Sequence, residues 1–251
     1  MWGGAVRQRF ANRACRVEVC CPKTFERFLE ARFTLGIDAE LNEVFDRAGA
    51  VIAFGDAKAI GRGAEEGIFI RTNKPNVKIC STDGVEIPVG TLSSDAGGAA
   101  LSLTKDREWT FAGTVAVIEN AEPFWQHEKA LPDVDLAVYA GGNMSSRLVD
   151  WLASEAMAGS QIVHWGDYDP RGVAEYLRLF DRCAERVDSF VPNNIDQLMM
   201  HDKRSLWENQ SRSLEALRSR ISVPHVIRML KLFDEHRKGL EQEALLAFCL
   251  E

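Results

Sequence analysis

Three carboxylates in this sequence are placed to do chemistry. Glu119 directly follows the apolar run Val115-Ala116-Val117-Ile118, and Asp167 and Asp169 follow Ile162-Val163-His164-Trp165-Gly166. Side chains two apart on an extended chain point the same way, so Asp167 and Asp169 aim at a common point. If the two runs are neighbouring strands, Glu119 joins them there. Acids gathered at one point repel unless a cation neutralises them, and carboxylate oxygens with water are the preferred shell of Mg²⁺ or Mn²⁺. In Gly166-Asp167-Tyr168-Asp169-Pro170-Arg171-Gly172 the two glycines let the backbone turn tightly beside a ligand. Asp169 is equally placed to cap a helix whose first turn holds Pro170. A lone Asp-x-Asp is more often a cap and a solvated loop residue than a metal site. Glu119, in the same kind of position on another strand, shifts the balance towards a metal.

The segments that must position these acids alternate in type. Residues 114–118 form a β-branched apolar strand and 123–130 a short helix. Residues 136–139 form a second strand, ended by Gly141-Gly142. Residues 145–158 form a helix with Leu148, Leu152, Ala156 and Met157 on one face. A strand at 161–165, a helix at 172–186 and a strand at 187–191 follow. Buried runs alternating with amphipathic helices predict an α/β fold with a parallel sheet flanked by helices. Ligands of such sheets bind beyond the carboxyl ends of the strands. The first third reads differently. A helical pattern covers 23–48, interrupted at Gly36, with Asp38 as a second cap. Strand-like runs lie at 51–54, 67–71 and 77–80, and a loop rich in Gly, Ser and Ala at 91–100. We therefore expect a small α+β unit at 1–108 and the α/β catalytic domain at 109–251, helical towards its end.

The formal net charge of −7 argues against tight nonspecific nucleic-acid binding by the whole surface. It leaves room for a local basic groove. Residues 203–238 hold nine basic and four acidic side chains, a balance of +5 against the sign of the chain. The six cysteines include no Cys-x-x-Cys pair, which excludes the common zinc patterns and fits a reducing cytoplasm. No apolar stretch approaches the ~18 residues of a membrane helix, and no secretory signal is read, so a cytoplasmic location is expected.

Three strings together resemble a known family. Val117-Ile118-Glu119-Asn120, Tyr139-Ala140-Gly141-Gly142-Asn143 and His164-Trp165-Gly166-Asp167-Tyr168-Asp169-Pro170-Arg171-Gly172 look like the Toprim domain of the Wadjet defence nuclease subunits (JetD). The wider relatives are the A subunit of topoisomerase VI and the meiotic Spo-eleven transesterase. Gly239-Leu240-Glu241-Gln242-Glu243 is similar to the family's tail. The resemblance covers about residues 50–251. It implies a Toprim-like sheet and a metal-dependent DNA endonuclease. Glu119 would be a metal ligand or general acid/base, Asp167 and Asp169 would hold the ion, and Glu241 and Glu243 would make outer or second-metal contacts. For Glu241 and Glu243 an exposed helix face is an equal alternative. The resemblance also implies a homodimer that cuts both strands of DNA, and partners in an SMC-like loop-extruding complex.

Two departures from the family matter. The winged-helix module that usually precedes the Toprim segment looks shortened, so either the start is truncated or a partner holds the DNA. The only tyrosines are Tyr139, Tyr168 and Tyr176, all inside the Toprim segment. This argues against a covalent tyrosyl intermediate and for metal-activated water. Two rival functions remain at this stage: a non-catalytic DNA- or protein-binding subunit, and a small-molecule phosphohydrolase. Weaker DNA-contact candidates are Lys58 after Gly55-Asp56-Ala57, Asn143 after the glycine pair, Arg171, Lys203 and Arg204. Each has a plain alternative: a turn for Lys58, loop ordering for Asn143, a pair with Glu175 for Arg171, and a solvated helix face for the last two. His164, Trp151 and Trp207 read as packed core residues.

Overall fold

The computed structural model describes residues 6–11, 14–33, 66–104, 106–201 and 210–248. The chain divides into two compact units, Met1–Glu65 and Glu66–Glu251. In the first, β1 (Val6–Ala11) and β2 (Ala14–Val19) form an antiparallel hairpin, followed by α1 (Pro22–Arg32). Pro22 opens α1 in a first-turn position, where its missing N–H costs nothing. The expected helix at 23–48 is therefore seen as far as Arg32. Its continuation, Asp38, the strand at 51–54 and Lys58 lie outside the described residues.

The second unit is built on a six-stranded sheet. Its strands are β3 (Glu66–Arg71), β6 (Ala99–Leu103), β8 (Gly113–Ile118), β9 (Leu136–Tyr139), β10 (Ser160–Trp165) and β11 (Val187–Ser189). Their order across the sheet is β11-β10-β8-β9-β3-β6. The first four run parallel, and β3 and β6 are antiparallel additions at one edge. Val115 to Ile118 are all buried, as expected of a strand covered on both faces. Beside this sheet, β4 (Ile79–Ser81), β5 (Glu86–Ile87) and β7 (Trp109–Thr110) make a small antiparallel sheet.

Helices connect the strands. These are α2 (Val89–Ala96), α3 (Ala121–Trp125), α4 (Ser146–Ala153) and α5 (Pro170–Cys183). Beyond β11 come α6 (Ile195–Leu198), α7 (Ser211–Arg218), α8 (Pro224–His236) and α9 (Ala244–Phe248). Helices α3, α4 and α5 are each followed by one turn of 3-10 helix, so they are shorter than the apolar periodicity suggests. Trp151 packs in the core, its indole N–H donating to the Trp109 carbonyl at 2.8 Å. Trp207 lies outside the described residues, and no described helix is long and apolar enough to cross a membrane.

The structure corrects two expectations. Residues 91–100 are not a loop. They complete α2, which stops at Gly97 in the left-handed conformation (φ 84°), and begin β6. Small residues hid both elements: Ser93 and Ser94 sit in a helix, while Ala99, Leu101 and Leu103 are the buried positions of an alternating strand. The unit boundary also falls after Glu65 instead of at 108/109. The reason is hydrogen bonding, since β3 pairs with both β9 and β6 and so belongs to the large sheet.

Candidate metal centre

Strand β8 is flanked by β9 on one side and β10 on the other, so the connections leave it in opposite directions. This is the topological switch point of the sheet, where open α/β folds form a crevice at the carboxyl ends. The register pairs Ile118 with Trp165, so the next residues, Glu119 and Gly166, leave the sheet side by side. The Glu119 N–H donates to the Trp165 carbonyl at 3.1 Å, and the Asp167 N–H faces Glu119 Oε2 at 3.4 Å. Gly166 is required here. A Cβ at this position would lie 3.0 Å from Glu119 Oε2 and 2.7 Å from His164 Cε1.

The chain's tail completes the site. Tyr168 and Leu240 exchange two backbone hydrogen bonds of 2.8 and 3.1 Å, which lays residues 240–243 along the acidic loop. Gln242, fully buried, then ties three pieces together. Its N–H donates to Asp167 Oδ1 (2.9 Å), its Nε2 to the Trp165 carbonyl (2.7 Å), and its Oε1 accepts from the Asn120 N–H (2.7 Å). The Asn120 side-chain amide donates to Asp167 Oδ1 (3.2 Å) and Glu243 Oε2 (3.1 Å). Two carboxylates, from the loop after β10 and from the tail, thus meet on one asparagine, the residue that follows Glu119.

Asp169 plays a different part. Its Oδ1 accepts from the Gly172 N–H at 2.7 Å and caps α5, a contact worth about 1 kcal/mol. Its Oδ2 accepts from the Gln210 amide at 2.6 Å. Both oxygens are engaged in the fold, and the side chain is buried. Among the described residues, Asp196, Glu235 and His236 are the group of three whose ligating atoms all lie within 4.8 Å of one another. The oxygens of Glu119, Asp167 and Asp169 are more widely spread. The expected trio is therefore not a tight cluster: Glu119 meets the Asp167 backbone N–H, and Asp169 serves as a helix cap.

Charge at this edge is uncompensated. Burial pushes the Asp167 carboxyl up to about 7, and the negative charges of Glu119, Asp169 and Glu243 act in the same direction, against the Gln242 N–H bond. Burial also raises Glu119, with Asp169 and Glu175 adding to the effect and the Asp167 amide and Arg171 opposing it. Among the described residues no lysine or arginine forms an ion pair with Glu119, Asp167 or Glu243. An all-oxygen donor set with repelling charges fits a hard divalent cation such as Mg²⁺ or Mn²⁺.

With this geometry in view, comparison with protein families gives one match: the family described as "Domain of unknown function (DUF7281)", over residues 69–251. The chain belongs to this family. No curated protein matches the chain. The DUF7281 segment begins inside β3 and takes in every residue of the acidic edge, including the tail.

The other candidates in this DUF7281 chain fall out as follows. Asn143 and Arg171 meet each other, Arg171 Nε donating to Asn143 Oδ1 at 3.0 Å. Glu175 takes Arg178 at 2.7 Å and the Met144 N–H instead of the expected Arg171, because Asn143 holds the Arg171 side chain. Glu241 lies on the tail without a side-chain contact to Glu119 or Asp167 among the described residues. Lys203 and Arg204 are outside the described residues. Sequence reasoning gave no role to Asn120, Gln210 or Gln242. The available signal was Gln242 itself, a polar residue that precedes the buried Leu245 and Leu246 closely enough to be drawn into the core.

Proposed function

We propose that this protein is a metal-dependent DNA endonuclease that hydrolyses phosphodiester bonds with Mg²⁺ or Mn²⁺ at the Glu119/Asp167 edge. The observation that carries the reading is the meeting of Glu119 and Asp167 at the switch point, with their protonation raised and, among the described residues, no ion pair to either. When bound, a divalent ion would supply charge for the scissile phosphate and a more acidic attacking water. Asp167 and Glu119 would hold the ion, with Glu243, tied to Asp167 through Asn120, making an outer contact. Asn120 holds Asp167 and Glu243 in fixed relation through its amide. Glu119, raised by burial, is placed at this edge to serve as a general acid or base. Arg171 and Asn143 lie on the same edge and would meet the phosphate backbone.

The resemblance to Toprim nucleases of Wadjet-type systems supports DNA as the substrate, a homodimer for double-strand cutting, and an SMC-like defence complex as partner. The deciding experiment is incubation of supercoiled plasmid with the protein and Mg²⁺ or Mn²⁺, with Asp167→Ala alongside. Nicked or linear DNA from the wild type alone supports the reading. Equal cutting by both proteins overturns it.

One observation favours a second reading, a DNA- or protein-binding subunit without catalysis. Both oxygens of Asp169 are taken up by Gly172 and Gln210, which leaves fewer ligands than the motif suggests. Full biological effect retained by Glu119→Gln would support that reading.

A further inference from the structure

Behind the acidic edge lies a small internal cavity of about 10 Å³, lined among others by His164, Asp167, Ser189 and His225. That is close to the space one water molecule needs. His164 is 5% exposed and comes from β10, three residues before Asp167, and His225 comes from the first turn of α8. The Tyr176 ring lies beside both, 6.2 Å from His164 and 4.4 Å from His225. No described residue hydrogen-bonds either imidazole, yet neither is among the buried polar groups that a water-sized probe cannot reach. Both residues line the cavity, His164 buried and His225 half-buried. Burial holds both rings neutral, at about 3 for His164 and about 4 for His225. A neutral imidazole has one donor and one acceptor nitrogen, which suits a water. Ser189 and Asp167 also line the cavity, and an internal water uses two to four polar partners. Both protein hydrogen bonds to the Asp167 side chain end on Oδ1, and Oδ2 receives none from a described residue.

We propose that His164 and His225 hold one water in this cavity and through it fix the Asp167 carboxylate, so that both are positioning residues for the metal site. The inference rests on the metal reading above. The two histidines come from different elements, a strand and a helix beyond β11, so the water joins α8 to the acidic loop. Outer contacts of this kind set the orientation of a ligating carboxylate, and their loss weakens metal binding by about 10-fold or more.

The test is calorimetric titration of the full chain with Mn²⁺ alone, without DNA, for the wild type, His225→Leu and His225→Gln. Thermal unfolding without metal checks that each variant folds. Expected is about 10-fold weaker Mn²⁺ binding by His225→Leu and recovery to near the wild-type value by His225→Gln, which keeps a hydrogen-bonding group at the cavity. Unchanged affinity in His225→Leu would overturn the proposal alone. Equal weakening in both variants would overturn it too, since packing would then be the whole role. A wild type that binds no Mn²⁺ would overturn the metal reading and this proposal with it.

Discussion

The two ends of the large sheet treat aspartate in opposite ways. At the amino end, Asp135 precedes β9 and is fully answered. Lys74 Nζ reaches its Oδ1 at 2.6 Å and the Thr114 N–H its Oδ2 at 2.7 Å. Burial alone would raise this carboxyl, but those two partners outweigh it and hold Asp135 below its ordinary value. At the carboxyl end Asp167 is surrounded by other acids, and burial with their repulsion pushes it up to about 7. The same residue type, on the same sheet, is thus a structural clamp at one end and an unrelieved charge at the other. Unrelieved charge costs stability and persists where something else is bound or transformed. That contrast is the ground on which the proposed metal site is placed at this edge.

The largest test of the contrast is catalytic. Asp167→Ala should lower the rate of plasmid cutting by about 10²-fold or more, while Asp135→Ala should leave it near the wild-type rate. First-order loss of supercoiled DNA measures both. A comparable loss from Asp135→Ala would erase the distinction between the two ends.

Stability should change with opposite sign at the two ends. Asp167→Asn keeps the Oδ1 acceptor but removes the charge, and should stabilise the metal-free protein by about 1–3 kcal/mol above neutral pH. Asp135→Ala leaves Lys74 and the Thr114 N–H without their acceptor and should cost about 1–2 kcal/mol. Denaturant unfolding of the two variants reads both signs. Destabilisation by Asp167→Asn would mean that the acidic edge is a clamp after all.

The smallest effect is a slope in pH. Asp167 binds its proton more tightly folded than unfolded, so its contribution is full below 3.8 and is lost as pH rises through about 7. Raised Glu119 acts in the same sense. His164 and His225 do the reverse. Their folded values of about 3 and about 4 lie below the ordinary 6.5, so stability is lost as pH falls below 6.5. The two trends oppose each other between about pH 6.5 and about pH 4. Asp167→Asn removes one of them, and its unfolding temperature should fall more steeply on acidification than that of the wild type. Parallel curves for the two proteins would contradict the raised Asp167.

The contrast also shows which parts of the molecule were legible in the amino-acid sequence. Three of the four parallel strands were readable as short, largely apolar runs bounded by glycine or an acid, while β11 stops two residues short of the expected 191. Leu136–Tyr139 has the predicted bounds, and Gly113–Ile118 and Ser160–Trp165 differ by one residue. Strand β6 was not readable, since Ala99-Ala100 beside Gly97-Gly98 has the composition of a loop and its strand character comes from pairing with β3. At the site, Glu119 and Asp167 followed from strand ends. The split between Asp167 and Asp169 did not. Period-two geometry sets only the side from which each acid starts, and Asp169, as the extended cap of α5, is taken by the Gly172 N–H and Gln210, the capping role the sequence had offered as its alternative. Gln242 and Gln210 were hidden for another reason. They reach the acids across 75 and 41 residues of sequence, and local pattern holds no information over such spans.

The paired backbone of Tyr168 and Leu240 has a consequence for when the acidic edge is complete. Strands β8 and β10 bring Glu119 and Asp167 to one edge by their register. Gln242 and Glu243 reach that edge only through the pairing of Leu240 with Tyr168, beyond α8. The acidic edge is therefore complete only where both the sheet and this distant segment are in place, so loosening the segment alone would open the edge and leave the sheet intact.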